Sequence, residues 1–282
     1  MKTATITSQS INHNTVKVDD YVVSYFDAGT STIPIIFIHG FPFDKTSWND
    51  QFEFFAKSFR VITMDIRGFG QSSAGTKEAS IDLYADDFIH FLDALQIDKA
   101  IVCGLSMGGY IVLNAVNKYP NRFEALILAN TQCLADSPAA KVKRIDTINK
   151  IKQHGLTDFA NGFIKNAFFE DTVIEQKKMV EQTKQVILST STETIIAGLK
   201  ALAGRSETCS TLSNINIPTL IISGKNDLVI NPIESEYLNT SIKKSTIGLI
   251  DKAGHLSNLE QAFTFNHQVL NFLKERVGSK KL

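Results

Sequence analysis

Short, unbroken apolar runs alternate with helix-like segments along most of this chain. The runs lie at residues 22–26, 35–39, 61–65, 100–103, 125–129, 220–223 and 246–250, and the helical segments at 48–57, 81–95, 107–118 and 261–277. Runs that are apolar at nearly every position are typical of parallel strands covered on both faces by helices. The sequence therefore predicts a doubly wound α/β fold with a mostly parallel sheet, started by an N-terminal hairpin that turns at Asp19 and Asp20.

Residues 134–211 interrupt this alternation. The stretch is rich in Lys, Glu, Gln, Thr and Ala and contains no strand-like run bounded by turns. Ile145, Ile148 and Ile151 recur at helix-like spacing, which is typical of helices that bury one face. We therefore predict an all-helical cap at 134–211, inserted into a core formed by residues 1–133 and 212–282.

Composition excludes several functional classes. The 29 Lys and Arg residues balance 29 Asp and Glu residues, whereas binding to nucleic acid needs an excess of positive charge. No segment approaches 18 uncharged apolar residues, and residues 1–14 contain no signal-peptide-like stretch. We expect a cytoplasmic protein, a monomer or homodimer, with no nucleic-acid or membrane partner.

Neither the cysteines nor the histidines indicate a metal site or a disulfide framework. Cys103, Cys133 and Cys209 are an odd number, separated by 30 and 76 residues, so we expect reduced thiols. The six histidines form no H-x-x-x-H pair. The glycine-containing segment at 65–72 lacks the third glycine of the dinucleotide-binding pattern. We expect neither a metal nor a cofactor.

The most specific local pattern is G-x-S-x-G at residues 104–108, between a predicted strand and a predicted helix. Glycines two residues before and after the serine permit a sharp strand-to-helix turn that exposes the hydroxyl at the end of the sheet. The pattern alone also occurs by chance, so its position in the chain carries the argument. It predicts that Ser106 is a nucleophile.

Two more residues follow later strands in the order that a serine nucleophile requires. Asp227 lies just past the run at 220–223, and His255 just past the run at 246–250. A serine hydroxyl is a weak nucleophile until a neutral imidazole removes its proton, and a carboxylate orients that imidazole. Either residue alone would be interpreted as an ordinary loop residue. Together they predict a catalytic triad with Ser106.

Acyl transfer also needs two N–H donors where negative charge develops on the substrate oxygen. The H-G-F-P sequence at 39–42 follows a predicted strand, and Gly40 permits a close approach of this loop. We predict that the main-chain N–H groups of Phe41 and Met107 form the oxyanion hole. His39 is interpreted as a structural histidine that holds the loop.

Five patterns together resemble the α/β-hydrolase superfamily. They are H-G-F-P at 39–42, D-I-R-G-F-G-Q-S at 65–72, G-L-S-M-G-G at 104–109, G-K-N-D at 224–227 and G-H at 254–255. The chain is similar to the branch with 3-oxoadipate enol-lactonases, small carboxylesterases and cofactor-free haloperoxidase-like esterases. The resemblance implies an eight-stranded sheet, a helical cap between the sixth and seventh strands, and the site residues predicted above. It also implies that Trp48 lies near the pocket, with a core position as the alternative.

Serine at the nucleophile position favours an acyl-enzyme over the alkyl-enzyme chemistry of relatives with aspartate there. We expect hydrolysis of a small to medium, largely apolar ester or lactone. Two alternatives stay open: a C–C bond hydrolase of ring-cleavage products, and a slow-turnover ligand receptor on the same fold. Arg205 and Lys200, near the end of the predicted cap, either meet a substrate carboxylate or form a solvated surface.

Overall fold

The computed structural model describes residues 13–278, and within them eight strands form one sheet. The strands are β1 (His13–Val18), β2 (Tyr21–Ala28), β3 (Ile35–Ile38), β4 (Val61–Met64), β5 (Ala100–Leu105), β6 (Phe123–Ala129), β7 (Thr219–Gly224) and β8 (Ser245–Ile250). Their order in the sheet is β1-β2-β4-β3-β5-β6-β7-β8. β2 pairs antiparallel with both β1 and β4, and the other pairs are parallel. The predicted fold class is confirmed, and the first hairpin turns at Asp19, which has φ of 48°.

The helices lie between the strands. They are α1 (Asn49–Phe55), α2 (Ile81–Ala94), α3 (Met107–Lys118), α4 (Pro138–His154), α5 (Thr157–Ala167), α6 (Glu170–Glu175), α7 (Lys177–Ser189), α8 (Thr192–Gly204), α9 (Pro232–Ser241), α10 (Ser257–Glu260) and α11 (Ala262–Phe272). Sequence analysis missed α9, which buries only Ser235 and Leu238 and so has no apolar stripe to detect. Between residues 13 and 278, no single helix is long and apolar enough to cross a membrane. Helices α7 and α8 reach that length and apolar character only when they are counted together, and they are bent by 95° relative to each other.

The sheet is covered on both faces, which explains the unbroken apolar runs. In β3, Ile36 and Ile38 belong to one hydrophobic core, whereas Ile35 and Phe37 belong to another. Residues from α2 and α3 pack in the first core, and residues from α1 and α11 in the second. Successive strand residues point to opposite faces, so every position of β3 must be apolar.

Helices α4 to α8, here called the α4–α8 segment (residues 138–204), lie between β6 and β7 without an intervening strand among the described residues. Ile148 and Ile151 of α4 are buried, but Ile145 is 55% exposed. The expectation that all three share a buried face is therefore wrong. Residues three positions apart on an α-helix are offset by about 60° around its axis. Two such steps separate Ile145 from Ile151, which places Ile145 outside the buried face.

Cys133 and Cys209 form a disulfide, which corrects the expectation of three reduced thiols. Cys133 precedes α4 and Cys209 follows α8, so the bond joins the two ends of the α4–α8 segment. The Thr208 N–H also donates to the Cys133 carbonyl at 2.8 Å. No local pattern indicates this pairing, because only the fold brings together residues separated by 76 positions.

Thiol counting tests this pairing. Burial raises the pKa of the Cys103 thiol well above its usual value, so the native protein should resist alkylation at neutral pH. Intact-mass analysis should find one alkylated thiol per chain after denaturation without reductant, and three after reduction. Three alkylated thiols before reduction would disprove the disulfide.

Candidate active site

The candidate site lies where the order of the strands reverses. β3 has β4 on one side and β5 on the other, and both neighbours follow β3 in the chain. Loops that leave the carboxyl ends of strands at such a point diverge and form a crevice. The loop after β3 contains Gly40, on which a Cβ atom would lie 3.2 Å from the Ser106 Cβ. The two predicted site loops are therefore in contact.

Ser106 occupies a sharp turn between β5 and α3, with φ of 52° and ψ of −113°. A non-glycine residue with positive φ is strained and persists only where its surroundings hold it. The surroundings here are closely packed backbone: a Cβ on Gly104 would lie 2.4 Å from the Gly108 carbonyl oxygen, and one on Gly108 2.3 Å from the Ile38 oxygen. The two glycines of the pattern are therefore required by backbone contact.

His255 and Asp227 are brought together as predicted. The His255 Nδ1 atom lies 2.8 Å from the Asp227 Oδ2 atom, and the residues are 1% and 5% exposed. In the neutral imidazole, an accepting carboxylate at Nδ1 selects the tautomer with the proton on Nδ1 and the lone pair on Nε2. Nε2 is buried and has no hydrogen-bond partner among residues 13–278, so the expected bond to the Ser106 hydroxyl is not formed here. Such bonds are often completed only when substrate binds.

Asp227 is held as a carboxylate by its neighbours. Burial opposes ionisation of Asp227, but the charge and hydrogen bond of His255, together with bonds from Asn130 and Ile230, keep its pKa below the usual value. Oδ1 accepts the N–H groups of Val229 at 2.8 Å and Ile230 at 2.9 Å. These bonds fix the carboxylate plane, so Asp227 is ionised and oriented at neutral pH.

Asn130 is a site residue that sequence analysis missed. Its Nδ2 donates to Asp227 Oδ2 at 2.9 Å, and its Oδ1 accepts the Ser257 hydroxyl at 2.6 Å. The next residue, Thr131, donates its hydroxyl to the Ser106 carbonyl at 2.9 Å. The loop after β6 therefore connects the serine turn to the carboxylate. The one available signal was the position of Asn130 directly after a buried strand.

The predicted oxyanion donors are both free. Met107 is the first residue of α3, where main-chain N–H groups have no intrahelical acceptor. Neither its N–H nor that of Phe41 donates to an acceptor in the described chain. His39 is structural, as predicted: Nε2 accepts the Ile66 N–H at 3.0 Å and Nδ1 donates to the Gly40 carbonyl at 2.9 Å. Burial lowers the pKa of His39, which keeps it neutral in this role.

Trp48 has a core position, so its assignment to the pocket is corrected. The side chain is fully buried, and its ring lies 4.9 Å from that of Phe37 and 5.8 Å from that of Phe265. Trp48 ends the 3-10 turn Lys45–Trp48 and belongs to the same hydrophobic core as Phe37 and Phe265.

A groove of about 780 Å³ lies between α4 and α5. Phe41, Phe159 and Phe163 line its inner part, with ring centroids 6.0 to 6.4 Å apart. The exposed side chains of Lys143 and Lys150 also line it, so this groove is only partly apolar. Ser106 and His255 are not among its lining residues.

Arg205 is engaged in structure and does not face a substrate. It is 5% exposed, its Nη1 atom lies 2.6 Å from Asp136 Oδ1, and its guanidinium carbon is 4.5 Å from the Tyr110 ring centroid. Arg205 follows α8 and Asp136 precedes α4, so this ion pair joins the two ends of the α4–α8 segment, as the disulfide does. Lys200 is exposed, in agreement with the solvated alternative.

The glycine-containing segment at 65–72 is a structural turn. The buried Asp65 carboxylate accepts Lys45 Nζ at 2.6 Å, the Lys45 N–H at 2.7 Å and the Gln71 N–H at 2.9 Å.

Across residues 13–278, no group of three or more His, Cys, Asp or Glu side chains is arranged to hold a metal ion.

Removing Lys45 should destabilise the protein strongly. Lys45 and Asp65 are 2% and 0% exposed, so Lys45→Met leaves a buried carboxylate without its cation. We expect a loss of about 3–5 kcal/mol in the free energy of unfolding, measured by urea denaturation. The control Lys77→Met breaks an exposed ion pair with Asp19 and should cost about 0.5 kcal/mol or less. Equal losses in the two variants would contradict the structural role.

Comparisons with known proteins show the family to which this chain belongs. The sequence model of the alpha/beta hydrolase fold family matches residues 33–262. The 3-oxoadipate enol-lactonase 2 of Acinetobacter baylyi is 30% identical over 262 residues, which are 93% of this chain and 96% of the relative. A malate-bound thermophilic esterase from Thermogutta terrifontis has a TM-score of 0.90 at 30% identity and covers 95% of this chain and 100% of its own. The enol-lactonase from Burkholderia xenovorans LB400 has a TM-score of 0.87 at 26% identity, with 93% and 100% covered. The chain therefore belongs to the alpha/beta hydrolase family, in the branch that contains enol-lactonases and small esterases.

Proposed function

We propose that this protein hydrolyses a carboxylic ester or lactone of small to medium size through an acyl-enzyme on Ser106. The observation that carries the proposal is the buried hydrogen bond between His255 and Asp227. It leaves the Nε2 atom of His255 without a partner in the described residues, at the same edge of the sheet as the strained Ser106 turn. The enol-lactonase and esterase relatives support the same reaction class.

In the proposed reaction, the Ser106 hydroxyl attacks the substrate carbonyl carbon while His255 Nε2 accepts its proton. The carbonyl oxygen becomes an oxyanion and accepts the N–H groups of Phe41 and Met107. His255 then donates the proton to the leaving oxygen. In the second half, water loses a proton to Nε2 and attacks the acyl carbon. The bond from the acyl carbon to the Ser106 oxygen then breaks, His255 returns the proton to that oxygen, and the acid is released. Asp227 keeps the Nδ1 proton in place and stabilises the imidazolium that forms in each half.

We further propose that the α4–α8 segment is the cap of this site and that the groove between α4 and α5 leads to it. Phe41 supports this assignment because its ring lines the inner groove while its N–H is a free donor in the loop beside Ser106. The aromatic side chains of Phe159 and Phe163 would then contact the acyl or lactone ring of the substrate. No cofactor takes part in these steps.

Steady-state hydrolysis of p-nitrophenyl acetate, butyrate and octanoate, and of a simple γ-lactone, tests the proposal. We expect sustained turnover by the wild type that is lost in Ser106→Ala, and the chain-length preference measures the acyl pocket. A single burst without turnover would favour a ligand receptor. Turnover of a vinylogous diketone ring-cleavage product, without activity on these esters, would favour the C–C hydrolase.

A further inference from the structure

Glu260, at the end of α10, is a buried carboxylate that the proposed reaction does not use. It is 5% exposed, and its two oxygens accept from different parts of the protein. Oε1 accepts the Gly254 N–H at 2.7 Å, and Oε2 accepts the Phe169 N–H at 2.7 Å. Gly254 precedes His255 in the chain, whereas Phe169 is the N-cap residue that precedes α6 in the α4–α8 segment. One carboxylate therefore joins the histidine loop to the segment above it.

A second contact joins the same two parts. The His255 N–H donates to the carbonyl of Ala167, the last residue of α5, at 2.8 Å. Consecutive residues of the histidine loop are thus bonded to the α5–α6 junction, one directly and one through Glu260. A shift of this junction is transmitted to the main chain of His255.

The chemistry of this position requires a carboxylate. An ionised carboxylate accepts hydrogen bonds on both oxygens and donates none, whereas a glutamine offers one acceptor and one NH₂ donor. In the described part of the chain Glu260 forms no salt bridge, and a buried carboxylate without a cation is costly. Burial raises its pKa, and the hydrogen bonds from Thr172, Phe169 and Gly254 oppose that rise. The hydrogen bonds that offset the burial of the Glu260 carboxylate thus come from the histidine loop and from the α4–α8 segment, the two parts that Glu260 joins.

We propose that Glu260 is a positioning residue for His255: its carboxylate couples the α5–α6 junction to the histidine loop, and thereby holds Nε2 where it receives the serine proton. The inference rests on the proposed function for its catalytic consequence. Its structural consequence, the geometry of the His255–Asp227 pair, is observable without turnover.

Two variants break the connection from opposite sides. Glu260→Gln keeps the side-chain shape but directs an NH₂ group at one of the two N–H donors. Phe169→Pro replaces the N–H on the α6 side with a ring carbon, which cannot donate to Glu260 Oε2 and occupies the space of that hydrogen bond. Phe169 has φ of −63°, a value that proline adopts. The preceding Phe168, with φ of −102° and ψ of 149°, also has a conformation that proline tolerates after it. Phe169→Ala is the matched control, because it loses the same ring and keeps the N–H.

Kinetics and proton NMR measure the effect. We expect Glu260→Gln to lower kcat for p-nitrophenyl butyrate by about 10²-fold with a nearly unchanged KM, as small displacements of catalytic groups do. Phe169→Pro should lower kcat relative to Phe169→Ala in the same way. In both variants the low-field resonance of the His255 Nδ1 proton, shared with Asp227, should shift or broaden.

A further control breaks a different contact between the α4–α8 segment and the core. Thr194→Val removes the hydrogen bond from the Thr194 hydroxyl to the Gly68 carbonyl, 3.0 Å long, and should leave kcat and the low-field resonance unchanged. Folding of each variant is checked by circular dichroism. If Glu260→Gln fails to fold, the comparison of Phe169→Pro with Phe169→Ala still tests the positioning role.

The positioning role is overturned if the folded variants retain the kcat and the low-field resonance of their controls. Should the wild type prove inactive on esters and lactones, the proposed function fails while the resonance still tests the coupling. A resonance that moves only in Glu260→Gln and Phe169→Pro would support it in that case as well.

Discussion

Replacing Ser106 with alanine is expected to lower kcat for p-nitrophenyl butyrate by about 10⁶-fold, the loss seen when a triad nucleophile is removed. Alanine cannot form the acyl-enzyme, so the remaining rate would come from substrate binding and the oxyanion donors alone. Steady-state assays at high enzyme concentration measure this loss. A fluorophosphonate reagent should add to the wild type once per chain, at Ser106, and not to the variant.

The same variant should remain folded. Alanine and serine are both non-glycine residues, so the strain at φ of 52° is similar in the two proteins. Ser235→Ala is a suitable control, because it removes a buried hydroxyl of α9 that has no partner in the described residues. The control should keep full activity. Activity that persists in Ser106→Ala would require another nucleophile and overturn the proposed mechanism.

Much of this site was predictable because strand ends can be read from a sequence. Ser106, Asp227 and His255 each follow a parallel strand, β5, β7 and β8 respectively, and the carboxyl ends of parallel strands lie at one edge of a sheet. The resulting expectation that His255 and Asp227 meet agrees with their 2.8 Å hydrogen bond. The catalytic roles of all three stay predictions until the variants are assayed.

Other features depend on contacts between distant elements, and no local pattern reports them. Asn130 and Glu260 have no motif, and they become site residues only because their loops meet Asp227 and Gly254. The sequence could not decide whether Trp48 lies in the pocket or in the core. A tryptophan suits either environment, and only the fold shows which of them it occupies. The Cys133–Cys209 disulfide shows the same limit, because only the folded arrangement of the inserted helices brings the two cysteines together.

Replacing Asp227 with asparagine is expected to lower kcat by about 10⁴-fold while the protein stays folded. The asparagine oxygen can still accept the N–H groups of Val229 and Ile230, which hold the loop. Its NH₂ group then takes the place of Oδ2 and faces His255 Nδ1. A donor at that position makes Nδ1 an acceptor and moves the ring proton to Nε2, so His255 can no longer take the proton of Ser106.

The same substitution has a pH signature in stability. The pKa of Asp227 is below its usual value in the folded protein, so its ionisation stabilises the fold above the unfolded pKa, and this contribution is lost as pH falls through the folded pKa. The stability deficit of Asp227→Asn in urea denaturation should therefore shrink as pH is lowered through that range. Asp251→Asn, which removes a largely exposed carboxylate paired with Lys225, is the matched control and should not show the kinetic loss. A kcat for Asp227→Asn close to that of Asp251→Asn would mean that another group orients His255, since the Nδ1 proton would then be held without the carboxylate.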